Sequence, residues 1–166
     1  QAFNKTIMKI SKQIKSKISK DGKLTISIDN VEVPEPNEGE VLLKVQATPI
    51  NPSDLGLLVG PADVSSLKII ENGTKVEMKV PEALLRSVTA RLDQNLPVGN
   101  EGSGVVEVAG KGAEHLIGKT VGVAGGAMYS EYRCLPASSC LEMNEGTSRA
   151  SCLVLCKSLS LIHISE

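Results

Sequence analysis

Apolar and polar residues alternate at Leu24, Ile26 and Ile28 against Thr25, Ser27 and Asp29, the period of a half-buried strand. Asp21-Gly22 just before is a hairpin turn signal. It predicts a partner strand over 13–20 with Ile14, Ser16 and Ile18 on one face. Ile7, Ile10, Ile14 and Ile18 also fit helical spacing, but the turn and the strand behind it favour the hairpin. Residues 31–40 (VEVPEPNEGE) form a proline-broken turn, and Val41 to Ala47 is apolar and β-branched enough for a central strand. Asn51-Pro-Ser-Asp54 ends it, with a helical turn at Leu55 to Val59. Residues 61–80 read as irregular, apart from a short edge strand at Lys75 to Val80.

Pro81 to Leu92 reads as the best helix: Pro81 suits the first turn, Glu82 the dipole, and Leu84, Leu85, Val88 and Leu92 share a stripe. Three more strands are predicted at Val105 to Ala109, Thr120 to Ala124 and Met128 to Leu135. The sum is a mainly β unit with one or two helices, most simply a partly open barrel. It occupies residues 1–147. From Ser148 the pattern is lost: residues 148–166 show neither turn logic nor an amphipathic face, and SLIHISE (160–166) resembles translated sequencing adapter. The expectation is a non-native or disordered tail, with the genuine sequence stopping between Glu145 and Ala150.

Composition changes the picture in three ways. Aromatics are only 2% of 166 residues, so the core must be built from Val, Ile, Leu and Ala. The net charge of -1 points to neither nucleic acid nor membrane as partner, and the lysines crowding the first 23 residues read as a solvated strand face. No apolar leader segment and no run of about 18 apolar residues is present, which suggests a cytoplasmic setting, with a mitochondrial one as the alternative. Four cysteines without a CxxC read as reduced thiols, and the sequons at Asn4 and Asn72 carry little weight without a secretory signal.

The stretch LPVGNEGSGVVEVAG (96–110) raises the question of chemistry. It is not a dinucleotide fingerprint, because the third glycine would fall at Glu107. Gly118-Lys119-Thr120 is no phosphate loop either: Ala113 stands where the first glycine belongs, and a strand, not a helix, follows. His115 and His163 share no ligand spacing with cysteine or carboxylate, so no zinc set emerges. What remains is a glycine-rich tight turn carrying Asn100 and Glu101. The loop with Asn51 and Asp54 reads either as turn chemistry or as a polar pair at a cleft rim.

Taken together, TPINPSDLGLLVG (48–60), residues 96–143 and VEVPEPNEGEVLLKV (31–45) resemble the N-terminal, GroES-like half of the medium-chain dehydrogenase/reductase superfamily. The closest likeness is to its zinc-free quinone oxidoreductase and enoyl reductase branch, and it covers residues 20–145. Zinc-dependent members carry Cys where this chain has Asn51 and His where it has Asn100, and asparagine is a poor substitute for either ligand.

The resemblance implies a reductase using NADPH to reduce a quinone, enone or enoyl thioester, with a C-terminal Rossmann domain that this chain lacks. It implies Asn51 as a contact near the nicotinamide, Asp54 and Glu101 as braces of the cleft floor, and Asn100 as donor to the substrate oxygen. Asn51, Asp54 and Asn100 are thus the catalytic candidates, Asn51 and Glu101 the cofactor-side ones, with no metal. The parent is expected to be a homodimer acting on a small molecule, and this fragment alone to be inactive. The tyrosine that relatives often carry after the NxxD segment is replaced by Gly56, Leu57 and Leu58. The insertion at 62–95 reads as a lid or a reshaped acceptor pocket. The alternative is a stand-alone GroES-like interaction module without catalysis.

Overall fold

A computed structural model describes residues 9–144. The expected tail at 148–166, with Cys152, Cys156 and His163, and the first eight residues lie outside that range.

The opening hairpin forms as the alternation requires. Strand β1 (Ile10–Ile18) runs antiparallel to β2 (Lys23–Glu32), with Ile14 opposite Ile28 and Ile18 opposite Leu24. Gly22 takes φ +79 at the turn, a conformation glycine adopts without strain. Lys12 and Lys17 are exposed on β1, but five residues apart they point to opposite sides of the strand, so the lysines do not share the one solvated face expected. Next come β3 (Glu40–Ala47) and a short helix α1 (Pro52–Leu58).

Residues 61–80 are not irregular. They contain β4 (Asp63–Ile70) and β5 (Lys75–Lys79), and β5 lies between β4 and β2, so the edge strand is β4. The expected helix over 81–92 also shortens. Only α2 (Glu82–Leu85) is α-helical; Arg86–Arg91 is a 3-10 segment kinked at Val88 (φ -118, ψ 18). The hydroxyls of Ser87 and Thr89 donate back to the carbonyls of Leu84 and Arg86, which competes with regular helix. Three of the four stripe residues are used all the same, since Leu85, Val88 and Leu92 pack on the core around Ile18, Leu24, Met78 and Val80, whereas Leu84 is exposed.

Strand β6 (Leu96–Pro97) is brief, and β7 (Glu101–Ala109) starts four residues earlier than predicted. Then follow β8 (Thr120–Ala124), β9 (Tyr132–Pro136) and β10 (Cys140–Glu142). The strand expected from Met128 begins only at Tyr132, because residues 129–131 cross between sheets: Ile14 N donates to Tyr129 O at 2.8 Å and Val45 N to Glu131 O at 3.0 Å. One five-stranded antiparallel sheet has the order β4-β5-β2-β1-β6, the other β10-β8-β7-β3-β9. They meet through the bridge of Gln13 to Ser130 and do not close into a full barrel. The second sheet carries the larger core, with Val41, Leu43, Val106, Val121, Val123, Met128 and Leu135 buried. No helix among the described residues is long and apolar enough to cross a membrane.

Candidate functional site

The end of β3 and the start of β7 lie side by side, Ala47 opposite Ser103. The close fit depends on Gly104: a Cβ there would stand 2.1 Å from Lys44 O. Gly102 is likewise within β7, so of the glycines flanking Asn100-Glu101 only Gly99, at φ +101, makes a turn. The tight turn expected around Asn100 is therefore one residue deep, and Glu101 already belongs to the strand.

This arrangement brings the four sequence candidates together. Asn51 is the extended N-cap of α1 (φ -92, ψ 157), Pro52 opens the helix, and the Asp54 carboxylate accepts the Asn51 backbone N–H at 2.8 Å. Across the gap, Asn51 Nδ2 donates to Glu101 Oε1 at 2.5 Å. The amide orientation follows from this contact, because the reversed form would set two acceptors against each other. Asn100 N donates to Asp54 Oδ1 at 3.1 Å, and Asn100 Nδ2 to Ser53 Oγ at 2.9 Å. Asp54 is 1% exposed, Asn51 7% and Glu101 8%, whereas Asn100 and Ser53 stand at the surface. The cluster is thus a buried brace with an exposed carboxamide at its rim. Asn51 Oδ1 is buried and has no hydrogen-bond partner.

Three contributors escape sequence reasoning. Tyr129 places its hydroxyl 2.9 Å from Pro49 O and 3.2 Å from Asp54 Oδ2. Burial, and then the Asp54 charge, push its pKa up to about 12. Thr48 Oγ1 donates to Glu101 O at 2.7 Å. Arg91 holds the far end of α1, with Nη1 donating to Gly56 O at 2.8 Å and Nη2 to Leu57 O at 3.4 Å. Burial lowers the pKa of that guanidinium. The insertion at 62–95 is therefore built into a sheet, and its Arg91 ties it to α1. Only Ser53 had a local signal, its place inside the NPSD segment; Tyr129 lies 75 residues from Asp54 in sequence.

The donor set is carboxylate, carboxamide, hydroxyl and phenol. Among the described residues no group of three or more His, Cys, Asp or Glu is placed to hold a metal ion. The described residues contain no βαβ unit, since both sheets are antiparallel. They therefore offer no helix N-terminus behind a parallel strand for a dinucleotide pyrophosphate.

No protein-family model and no curated protein matches the chain. Solved structures do. A Mesorhizobium loti protein assigned as an NADPH:quinone reductase is 19% identical, with 96% of this chain and 45% of that chain covered and a TM-score of 0.58. A quinone oxidoreductase of Pseudomonas syringae pv. Tomato is 19% identical over 93% of this chain and 40% of that one, at a TM-score of 0.57. The JamJ enoyl reductase is 20% identical over 86% and 38%, at 0.56. The chain thus shares the fold of part of these oxidoreductase structures. It spans less than half the length of these three structures.

Proposed function

We propose that this chain is the N-terminal half of a zinc-independent oxidoreductase that transfers a hydride from NADPH to a conjugated acceptor, a quinone, enone or enoyl thioester. The observation that carries the reading is the Asn51–Glu101 bond: carboxamides occupy both positions where zinc-dependent relatives would have Cys and His, and one of them is spent on the neighbouring carboxylate. Carboxamide nitrogen is not a zinc donor, and its oxygen is a weak one.

The nicotinamide cofactor supplies the hydride chemistry when bound. The described residues do not fit its pyrophosphate, so the proposal assigns most of its binding to a further domain of the parent protein. This chain would supply one wall of the cleft. Asn51 and Glu101, locked to each other, back the cofactor side. Asp54 fixes the backbone of both Asn51 and Asn100. The Asn100 carboxamide gives one amide hydrogen to Ser53 and keeps the other for the acceptor oxygen as negative charge grows there. The parent is proposed to be a cytoplasmic homodimer with small molecules as substrates.

The test is Asn100→Ala in the full-length parent. The expected result is a fall of about 100-fold in kcat with little change in the KM for NADPH. Unchanged turnover would remove Asn100 from the mechanism.

A further inference from the structure

A groove of about 600 Å3 opens between the β1–β2 hairpin and the end of β3. We propose that it binds a flat, uncharged, apolar molecule bearing hydrogen-bond acceptor oxygens, and that its occupancy is felt at the Asn51–Glu101 cluster. Its size falls within the range of small-molecule sites, roughly 300–1,000 Å3.

The lining argues the ligand class. Ile14 and Ile28 face each other across β1 and β2, and Val45 and Ala47 come from β3. Ile28 is 46% exposed, a large apolar surface for water to cover. The charged residues are one of each sign, Lys12 and Glu131. The Glu131 carboxylate already accepts the Lys12 backbone N–H at 2.8 Å. An anion would meet Glu131 and a cation Lys12, so an uncharged body fits best. Lys12, Gln13, Gln46 and Ser130 also line the groove and bring N–H and O–H groups that could serve its oxygens.

The coupling is read from the back wall. Two groove residues are also the two that hold the cluster from behind: Tyr129 through Asp54, and Thr48 through the Glu101 carbonyl. A ligand that presses on the Tyr129 ring acts on the hydroxyl that positions Asp54, and Asp54 in turn holds the Asn100 amide. The ligand class is that of the acceptor in the proposed function, and to that extent the inference rests on it. Binding is nevertheless tested on the 166-residue chain, which on that reading does not turn over. Loss of binding there overturns the groove alone, and an inactive parent overturns the function alone.

The chain has no tryptophan and two tyrosines. In a Tyr132→Phe background, Tyr129 is the sole emitter. Titration with 2,3-dimethyl-1,4-naphthoquinone, whose reactive ring positions are blocked against thiols, should quench it saturably. Ile28→Glu places a carboxylate on the apolar floor and should weaken binding by about 10-fold or more, whereas the same change at Ile69, exposed on β4 and outside the groove lining, should leave it within about 2-fold. Saturating ligand should also shift the Asn100 backbone amide resonance, and Tyr129→Phe should abolish that shift while binding, followed by the resonances of Ile14 and Ile28, persists. Unsaturable quenching, or quenching indifferent to Ile28→Glu, overturns the site. An Asn100 shift that survives in Tyr129→Phe overturns the coupling.

Discussion

Tyr129→Phe removes one oxygen atom and leaves the ring in place. That oxygen sits 2.9 Å from Pro49 O and 3.2 Å from Asp54 Oδ2. A phenol has one hydrogen, so the two acceptors share it. The residue is only 9% exposed, so water has little room to replace the lost donor. One hydrogen bond is worth about 1 kcal/mol net, and leaving a buried carboxylate short of a donor adds about 1 more, so we expect a loss of about 2 kcal/mol. With a urea slope of about 2 kcal/mol per molar, the midpoint should fall by about 1 M at neutral pH.

The pH dependence separates this account from a general packing effect. The folded pKa is about 12, raised first by burial and then by Asp54. The unfolded phenol titrates near 10, so above about pH 10 the unfolded state has given up a proton that the folded state still binds. Stability from this group is therefore complete below about pH 10 and is lost progressively as pH rises towards about 12, by an amount on the order of 2 kcal/mol. The Tyr129→Phe variant has no such limb. The gap between parent chain and variant should narrow with rising pH, the second tyrosine cancelling in the difference. Equal midpoints at neutral pH, or a gap that stays constant up to about pH 11, would refute the role given to this hydroxyl.

Other consequences are as direct. Gly99→Ala forces a Cβ to within 2.6 Å of the Tyr129 backbone nitrogen at φ +101, and should cost about 2–4 kcal/mol in urea unfolding. Asp54→Ala strands the Asn51 and Asn100 backbone amides, while the Tyr129 hydroxyl keeps Pro49 O, and should cost about 2–4 kcal/mol by the same measurement; a loss below about 1 kcal/mol would show the cluster to be loosely held. The double change Asn51→Cys with Asn100→His should give measurable zinc affinity by competition with a chromophoric chelator, with Glu101 and Asp54 at hand; no gain over the unchanged chain would mean that the two positions do not converge on one ion.

The fold was legible where the information is local. Asp21-Gly22 and the alternation beyond it define the β1–β2 hairpin to within a few residues. The helical turn expected at Leu55 to Val59 is found, but α1 begins three residues earlier at Pro52, because Asn51 and Asp54, read as a break, act as N-cap and N3. Strand β4 was hidden because its first half bulges: Asp63 pairs with Lys79 but the next paired residue is Lys68, and Asp63-Val-Ser-Ser makes side-chain turns of its own. The stripe at 84–92 was read as helix because its spacing serves packing on Leu24 and Val80, a task a kinked 3-10 segment also performs. In the site, the Asn51–Asp54 pair was visible in sequence. The Asn51–Glu101 bond was not, because it spans 50 residues and depends on how closely Gly104 lets β7 approach β3. The same holds for Tyr129, whose role is set by the crossing of residues 129–131 between the sheets.

The central claim is that this chain is one half of a split, zinc-independent reductase site. The measurement that meets it most directly is NADPH oxidation with a quinone, an enone and an enoyl thioester, run side by side on the 166-residue chain and on its full-length parent, before and after treatment with a metal chelator. The account predicts turnover by the parent with at least one acceptor, unchanged by chelation, and none by the 166-residue chain. Robust turnover by the 166-residue chain, or parent activity that chelation abolishes and zinc restores, would contradict it.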